Sequence, residues 1–263
     1  MKIMIKADSK QRVDFDSQKL IQEIQHPQNY LGYTLEEKES WKTLVERQNK
    51  VSSEYSCNEI KKGIASLGIN SLSIANVALL SDKLYIKTGW NLVPITGLLP
   101  EDVYLKLLTI KKFPVSVEIR SKEEIDFSDT PDLFHDTYGH IPILFNPDIR
   151  NFLNRFGQIA LNYLDNKKAL MYLTKIYWFT METGIIEEDG ELKVFGASVL
   201  TSSNESKNIY NNENITLHKF DLDKIMNSDY HITSLQKEYY VIDSFKQLTE
   251  INEHLESRLD ELI

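Results

Sequence analysis

Pro131-Asp132-Leu133-Phe134-His135-Asp136-Thr137-Tyr138-Gly139-His140 decides how this chain is read, because it sets two imidazoles five residues apart. Thr130-Pro131 offers a cap followed by proline at the first helical position, so a helix is predicted to open there. On a straight α-helix, positions five apart point about 140° from each other, which does not suit one shared ligand. Gly139 before the second histidine and Pro142 after it predict that the helix ends or distorts, letting His140 swing back toward His135. Glu182 supplies a third donor at the end of the apolar run Ile176-Tyr177-Trp178-Phe179-Thr180-Met181. A buried, unpaired carboxylate is costly, and a metal ion removes that cost. Two histidines and one carboxylate, with no cysteine nearby, suit a non-heme iron(II) site that keeps positions open for oxygen. The competing readings are hydrogen-bonded histidines with Glu182 capping a helix end near Gly184, and a catalytic zinc site. The zinc-protease pattern His-Glu-x-x-His is not met, since Asp136 follows His135 and the spacing differs. Iron is the better match.

The chain has 263 residues, 41% of them hydrophobic and 26% charged, which suffices for one well-buried domain spanning 1–263. No apolar run approaches the length of a membrane span, and Met1-Lys2-Ile3-Met4-Ile5-Lys6-Ala7-Asp8 has no signal-peptide pattern. Cys57 is the sole cysteine, so no internal disulfide forms and a cytoplasmic location is expected. A net charge of −9 argues against a nucleic-acid partner, which calls for clustered Lys and Arg.

The expected architecture is mostly α with a few short strands. Thr34-Leu35-Glu36-Glu37 predicts a capping box opening a helix that buries Trp41, Leu44 and Val45. Further helices are predicted from Asn58 to Leu67, closed by Gly68; from Ser71 to Lys87; from Glu101 to Lys112; from Pro147 to Leu164; from Lys168 to about Thr183; from Asn204 toward Asn214; and at the C-terminus from Phe245 through Leu259. Pro114–Arg120 and Tyr239–Val241 are predicted strands, and Ile185–Phe195 a hairpin turning at Asp189-Gly190. His26, His218, His231 and His254 sit in polar contexts and are expected on the surface.

The motifs resemble those of the tetrahydropterin-dependent aromatic amino acid hydroxylases, in particular the short bacterial phenylalanine hydroxylases. The resemblance runs from about Trp41 to Leu248 and includes Trp41-Lys42-Thr43-Leu44-Val45-Glu46-Arg47-Gln48, Thr88-Gly89-Trp90, Thr96-Gly97-Leu98-Leu99-Pro100, Pro131-Asp132-Leu133-Phe134-His135, Gly139-His140-Ile141-Pro142, Phe195-Gly196-Ala197 and Tyr240-Val241-Ile242-Asp243-Ser244-Phe245. It implies the catalytic-domain fold of that family without its animal regulatory domain or tetramerisation helix, and hence a monomer. It also implies Fe(2+) on His135, His140 and Glu182, a tetrahydropterin, and O2 as co-substrate. The pterin is expected against Gly97, Leu98 and Leu99 and on the ring of Tyr104, where the family usually has Phe, with Asp136 as a further contact. The lack of a Rossmann or P-loop fingerprint agrees with a pterin donor. For the amino acid substrate, Arg120 is expected to clamp the carboxylate, while Pro131 and Trp178 wall the ring.

The chain also departs from the family. Phe127-Ser128-Asp129-Thr130-Pro131-Asp132 replaces the usual segment ahead of the first histidine. Thr183 stands where Phe is normal, Ser198 replaces the second glycine of Gly-Ala-Gly, and Thr201 takes the usual serine position. These positions, with Ser128, are expected to face the substrate. Trading Phe for Thr opens volume on one side and Ser198 fills it on the other, so the ring is expected to shift. Reactivity follows the carbon held within about 3–3.5 Å of the oxidant. Hydroxylation of phenylalanine at C3, giving meta-tyrosine, is therefore expected, with 4-hydroxylation to tyrosine as the alternative. Tyrosine or tryptophan as substrate, a zinc hydrolase, and a non-catalytic binder of aromatic amino acids are the remaining readings.

Overall fold

The computed structural model describes residues 15–126, 128, 130–232 and 234–263; Phe127, Asp129, Thr233 and the first 14 residues lie outside it. A short helix α1 (Ser17–Ile24) precedes α2 (Leu35–Tyr55), whose start is the predicted capping box: Thr34 accepts from the Glu37 amide and Glu37 reaches back to Thr34. Helix α3 (Asn58–Leu67) closes on Gly68 in the left-handed conformation, also as predicted. Helix α4 (Val77–Thr88) starts six residues later than the expected Ser71. The Asn76 side chain caps it, and Asn70 holds residues 70–72 in a turn instead.

Strand β1 (Asn91–Ile95), helix α5 (Glu101–Thr109) and strand β2 (Lys112–Ser116) form a parallel crossover unit, with Asn91 opposite Lys112 and Ile95 opposite Ser116. The predicted strand from Pro114 to Arg120 is therefore shifted. Its partner ends at Ile95, and beyond Val117 the chain bends so that Arg120 reaches Asp132. Helices α6 (Pro147–Leu161) and α7 (Lys167–Tyr177) follow, then the hairpin β3 (Ile185–Glu188) and β4 (Glu191–Val194). The hairpin turns where the sequence places Asp189-Gly190, both with positive φ. Helices α8 (Ala197–Thr201) and α9 (Ser203–Asn211), strand β5 (Thr216–Lys219), helix α10 (Leu222–Asn227), strand β6 (Glu238–Ile242) and helix α11 (Phe245–Leu262) complete the chain. The second sheet runs β4-β3-β6-β5, mixed parallel and antiparallel. The mostly α expectation holds, and among the described residues no helix is long and apolar enough to cross a membrane.

One continuous core joins α2, α3, α6, α7 and α11 through Trp41, Leu44, Ile60, Phe152, Leu173, Leu248 and Leu255, all buried. Helix α6 packs between α5 and α11. His26, His231 and His254 are exposed as expected, but His218 is partly buried between Lys224 and Glu238. The strand pairing of β5 and β6 draws it in.

The segment carrying the two histidines is opened by Asp132, not by Thr130-Pro131. The Asp132 carboxylate accepts the His135 amide at 2.9 Å and also takes Nε and Nη2 of Arg120 at 2.9 Å each and the Arg120 amide at 3.1 Å. Thr130 and Pro131 are both exposed. Burial alone would raise the Asp132 carboxyl, but the Arg120 guanidinium more than reverses this and holds it below the usual carboxylate range. Its contribution is thus present above the unfolded-state pKa and lost as pH falls through the lower folded-state value. Removing one partner of a buried pair costs about 3–5 kcal/mol. Asp132→Ala is therefore expected to lower the unfolding free energy from urea titration at neutral pH by that amount, with a lower midpoint, and to narrow its gap to wild type as the solution is acidified below about pH 4. A midpoint equal to wild type at pH 7 would show that the pair is not structural.

Candidate active site

The geometric obstacle in the five-residue histidine spacing is removed by the backbone. Residues His135–His140 form a π-helical turn, followed at Ile141 by an amide that donates to Asp136 O at 3.1 Å, five residues back. Wider winding brings positions five apart onto one side. His135 Nε2 and His140 Nε2 lie 3.2 Å apart. Pro142, which has no N–H, ends the turn and starts a short 3-10 segment, Pro142–Phe145. The third donor arrives on a second π turn, Trp178–Glu182, extending α7; there the Thr183 amide donates to Trp178 O at 2.9 Å. Glu182 Oε1 stands 3.1 Å from His140 Nε2 and Oε2 stands 3.6 Å from His135 Nε2. All three donor atoms lie within 4.8 Å of one another, with both histidines buried.

The surroundings set the donors for a cation. The Thr201 hydroxyl donates to Ala197 O at 2.8 Å, so its oxygen accepts from His135 Nδ1–H at 3.1 Å. That bond fixes the tautomer whose Nε2 lone pair faces the centre. Helix α8, which carries Thr201, comes this close because residue 139 is glycine: a Cβ there would stand 2.8 Å from that of Ala197. Ser198, on the same helix, donates to Glu182 Oε2 at 2.7 Å. Burial pushes His135 down to about 4, so it is held neutral. Burial would raise Glu182, but His140, then His135 and the Ser198 hydroxyl, together take it down to about 2. Burial would lower His140, but Glu182 more than reverses this and raises it, so an incoming cation would take the place of the His140 proton between these donors. The residues present therefore fit a divalent ion.

A cavity of about 490 Å³ opens beside this trio. His135 and Glu182 form part of its wall, as do all seven residues expected to meet substrate: Arg120, Ser128, Pro131, Trp178, Thr183, Ser198 and Thr201. Arg120 is buried and held by Asp132 through Nε and Nη2, which leaves its Nη1 edge outside that pair. Trp178 stacks on Tyr230 at 4.8 Å between centroids and donates its indole N–H to Gln236 at 3.3 Å. Sequence reasoning missed Tyr177, Glu205 and Gln236, which also line the cavity. Glu205 accepts from Tyr239 and from the Gln236 amide, and burial raises its carboxyl. It arrives from α9 by a fold contact between residues 31 positions apart, for which no local motif exists.

The chain and its fold have counterparts among known proteins. Residues 7–261 match the family described as biopterin-dependent aromatic amino acid hydroxylase. The chain belongs to that family. The phenylalanine-4-hydroxylase of Chromobacterium violaceum is 36% identical over 222 residues, which are 84% of this chain and 74% of that one. That of Ralstonia nicotianae is 33% identical over 233 residues, 89% of this chain and 74% of that one. A crystal structure of the C. violaceum enzyme with bound iron(III) and oxidised 7,8-dihydrobiopterin superimposes with a TM-score of 0.85 at 33% identity, covering 94% of this chain and 89% of that one.

The residues of this hydroxylase expected to meet pterin lie outside the cavity lining. Gly97 adopts φ +61 and its amide donates to Glu118; Leu98 is 67% exposed, and Leu99 packs partly against a small satellite cluster. Tyr104 is not a free platform: its ring meets Phe113 and Tyr177 edge-on, and its hydroxyl bonds that of Tyr177. Tyr177 in turn lines the cavity, so the Tyr104 side chain is joined to the cavity wall. Asp136 is buried rather than solvated on a helix surface. It accepts the Ser116 amide at 2.7 Å, and burial lifts its carboxyl to about 7.

Thr201→Val keeps the shape of the side chain and removes the acceptor for His135 Nδ1–H. Loss of such an outer partner costs about 10–100-fold in metal affinity. Competition with a chelator for zinc(II) or cobalt(II) should show that loss in a folded protein; wild-type affinity would mean that Thr201 does not orient the ligand.

Proposed function

We propose that this aromatic amino acid monooxygenase uses iron(II) and a tetrahydropterin to place one atom of O2 on the ring of L-phenylalanine. The observation that carries the reading is a buried two-histidine, one-carboxylate set opening onto a cavity that also holds a fixed arginine. Such a set leaves positions free on an iron ion. Bound iron and the reduced pterin supply the electrons that activate oxygen. His135, His140 and Glu182 would hold the metal; Gly97, Leu98, Leu99, Tyr104 and Asp136 are read as the pterin side.

The chain's own residues would orient the substrate. The Nη1 edge of Arg120 takes the substrate carboxylate while Asp132 keeps the guanidinium plane fixed, so little ordering entropy is lost on binding. Trp178, braced by Tyr230 and Gln236, gives the ring a rigid face, and Pro131 and Ser128 stand at the same wall. A zinc hydrolase is disfavoured by Asp136: the carboxyl following the first histidine is occupied with the Ser116 amide. A non-catalytic binder has no use for an ionised, buried Glu182. The protein is read as one catalytic unit, working as a monomer in the cytoplasm.

The named relatives are phenylalanine-4-hydroxylases, which supports attack at C4 and tyrosine as product. A second reading, attack at C3 to give meta-tyrosine, rests on Thr183 and Ser198 both lining the cavity beside Glu182. The structure tempers its steric basis. Ser198 turns its hydroxyl onto Glu182, and Thr183 turns its hydroxyl back to Trp178 O at 3.0 Å.

The test is a turnover assay with anaerobically loaded iron(II), reduced pterin, phenylalanine and oxygen, followed by separation of the tyrosine isomers. Hydroxylated phenylalanine is expected, and no product from any aromatic amino acid would overturn the proposal. Exclusive para product removes the second reading. If meta product forms, Thr183→Phe with Ser198→Gly should shift the ratio toward para.

A further inference from the structure

The two oxygens of Glu182 are not equivalent in this protein. Oε1 faces His140 Nε2 at 3.1 Å, whereas Oε2 stands farther from His135 Nε2, at 3.6 Å, and accepts a hydrogen bond from Ser198 Oγ at 2.7 Å. That contact is short and charge-assisted, in the stronger class of protein hydrogen bonds. It also joins the last residue of one π turn to the second residue of α8, whose other hydroxyl, on Thr201, holds His135. One five-residue helix thus grips two of the three donors from behind.

We propose that Ser198 is a positioning residue that keeps Glu182 a one-oxygen ligand, with Oε1 facing the ion and Oε2 engaged by the serine hydroxyl. This rests on the metal reading above and goes beyond it. Bonding to Ser198 withdraws electron density from Oε2 and fixes the rotation of the carboxylate. On a six-coordinate ion, three protein donors leave three positions open; a carboxylate binding through both oxygens leaves two. A glycine or alanine at position 198 has no hydroxyl and frees Oε2 to join the ion. Residue 198 therefore sets how many positions remain for exchangeable ligands, independently of any contact it makes with a substrate ring.

The experiment needs no turnover. Zinc(II), which is redox-silent and accepts the same donors, is added to wild type, Ser198→Ala and Ser198→Thr, each labelled with carbon-13 glutamate. Infrared difference spectra, zinc-loaded minus metal-free, then give the separation between the antisymmetric and symmetric carboxylate stretches, wide for one-oxygen and narrow for two-oxygen binding. A wide separation is expected in wild type, a narrowing in Ser198→Ala, and recovery in Ser198→Thr. The proposal is overturned by a separation that is already narrow in wild type, by one that Ser198→Ala leaves unchanged, or by a Ser198→Thr protein that stays narrow. Failure of wild type to take up zinc would instead sink the metal site itself, which a parallel zinc stoichiometry reveals.

Discussion

Everything at the centre of this protein depends on a change of helical winding. An i to i+5 backbone bond at Asp136–Ile141 turns a histidine spacing that suits no straight α-helix into a pair of imidazole nitrogens 3.2 Å apart. The same device recurs at Trp178–Thr183 and delivers the carboxylate. Such turns are less favourable than regular helix, so they persist only where their surroundings over-determine them. Here the surroundings are Asp132 at the start, Pro142 at the end, and α8 packed against Gly139.

The buried polar groups form a chain of mutual compensation. Arg120 and Asp132 neutralise each other while Asp132 also caps the histidine turn; Thr201 and Ser198 complete His135 and Glu182. Replacing ion pairs of this kind by apolar residues often leaves proteins as stable or more so. Their value in this fold is placement. Each group that would face ligand is held by a second group, so orientation is settled before anything binds.

Features with a local cause were legible in the sequence. The Thr34 capping box, the Gly68 terminus and the Asp189-Gly190 turn each follow from residues within a few positions of one another. The convergence of His135, His140 and Glu182 was readable from the isolation of a carboxylate in an apolar run, although the winding that achieves it was not. Thr130-Pro131 looked like a cap and is exposed, because Asp132 wins that role through a partner, Arg120, that only the fold brings near. Strand β1 was hidden for a related reason: its five residues acquire meaning only opposite β2. Ser198 was read as a substrate contact, and its bond to Glu182 depends on a 16-residue separation closed by the β3–β4 hairpin.

The second π turn carries at one end the indole that flanks the cavity and at the other the carboxylate that meets His135 and His140. Five residues thus act as a single lever: a shift of the indole also drags the Glu182 carboxylate. Divergence of substrate range in this chain is accordingly constrained to positions flanking the lever, such as Thr183 just past its end, and away from the two α8 hydroxyls that hold Glu182 and His135.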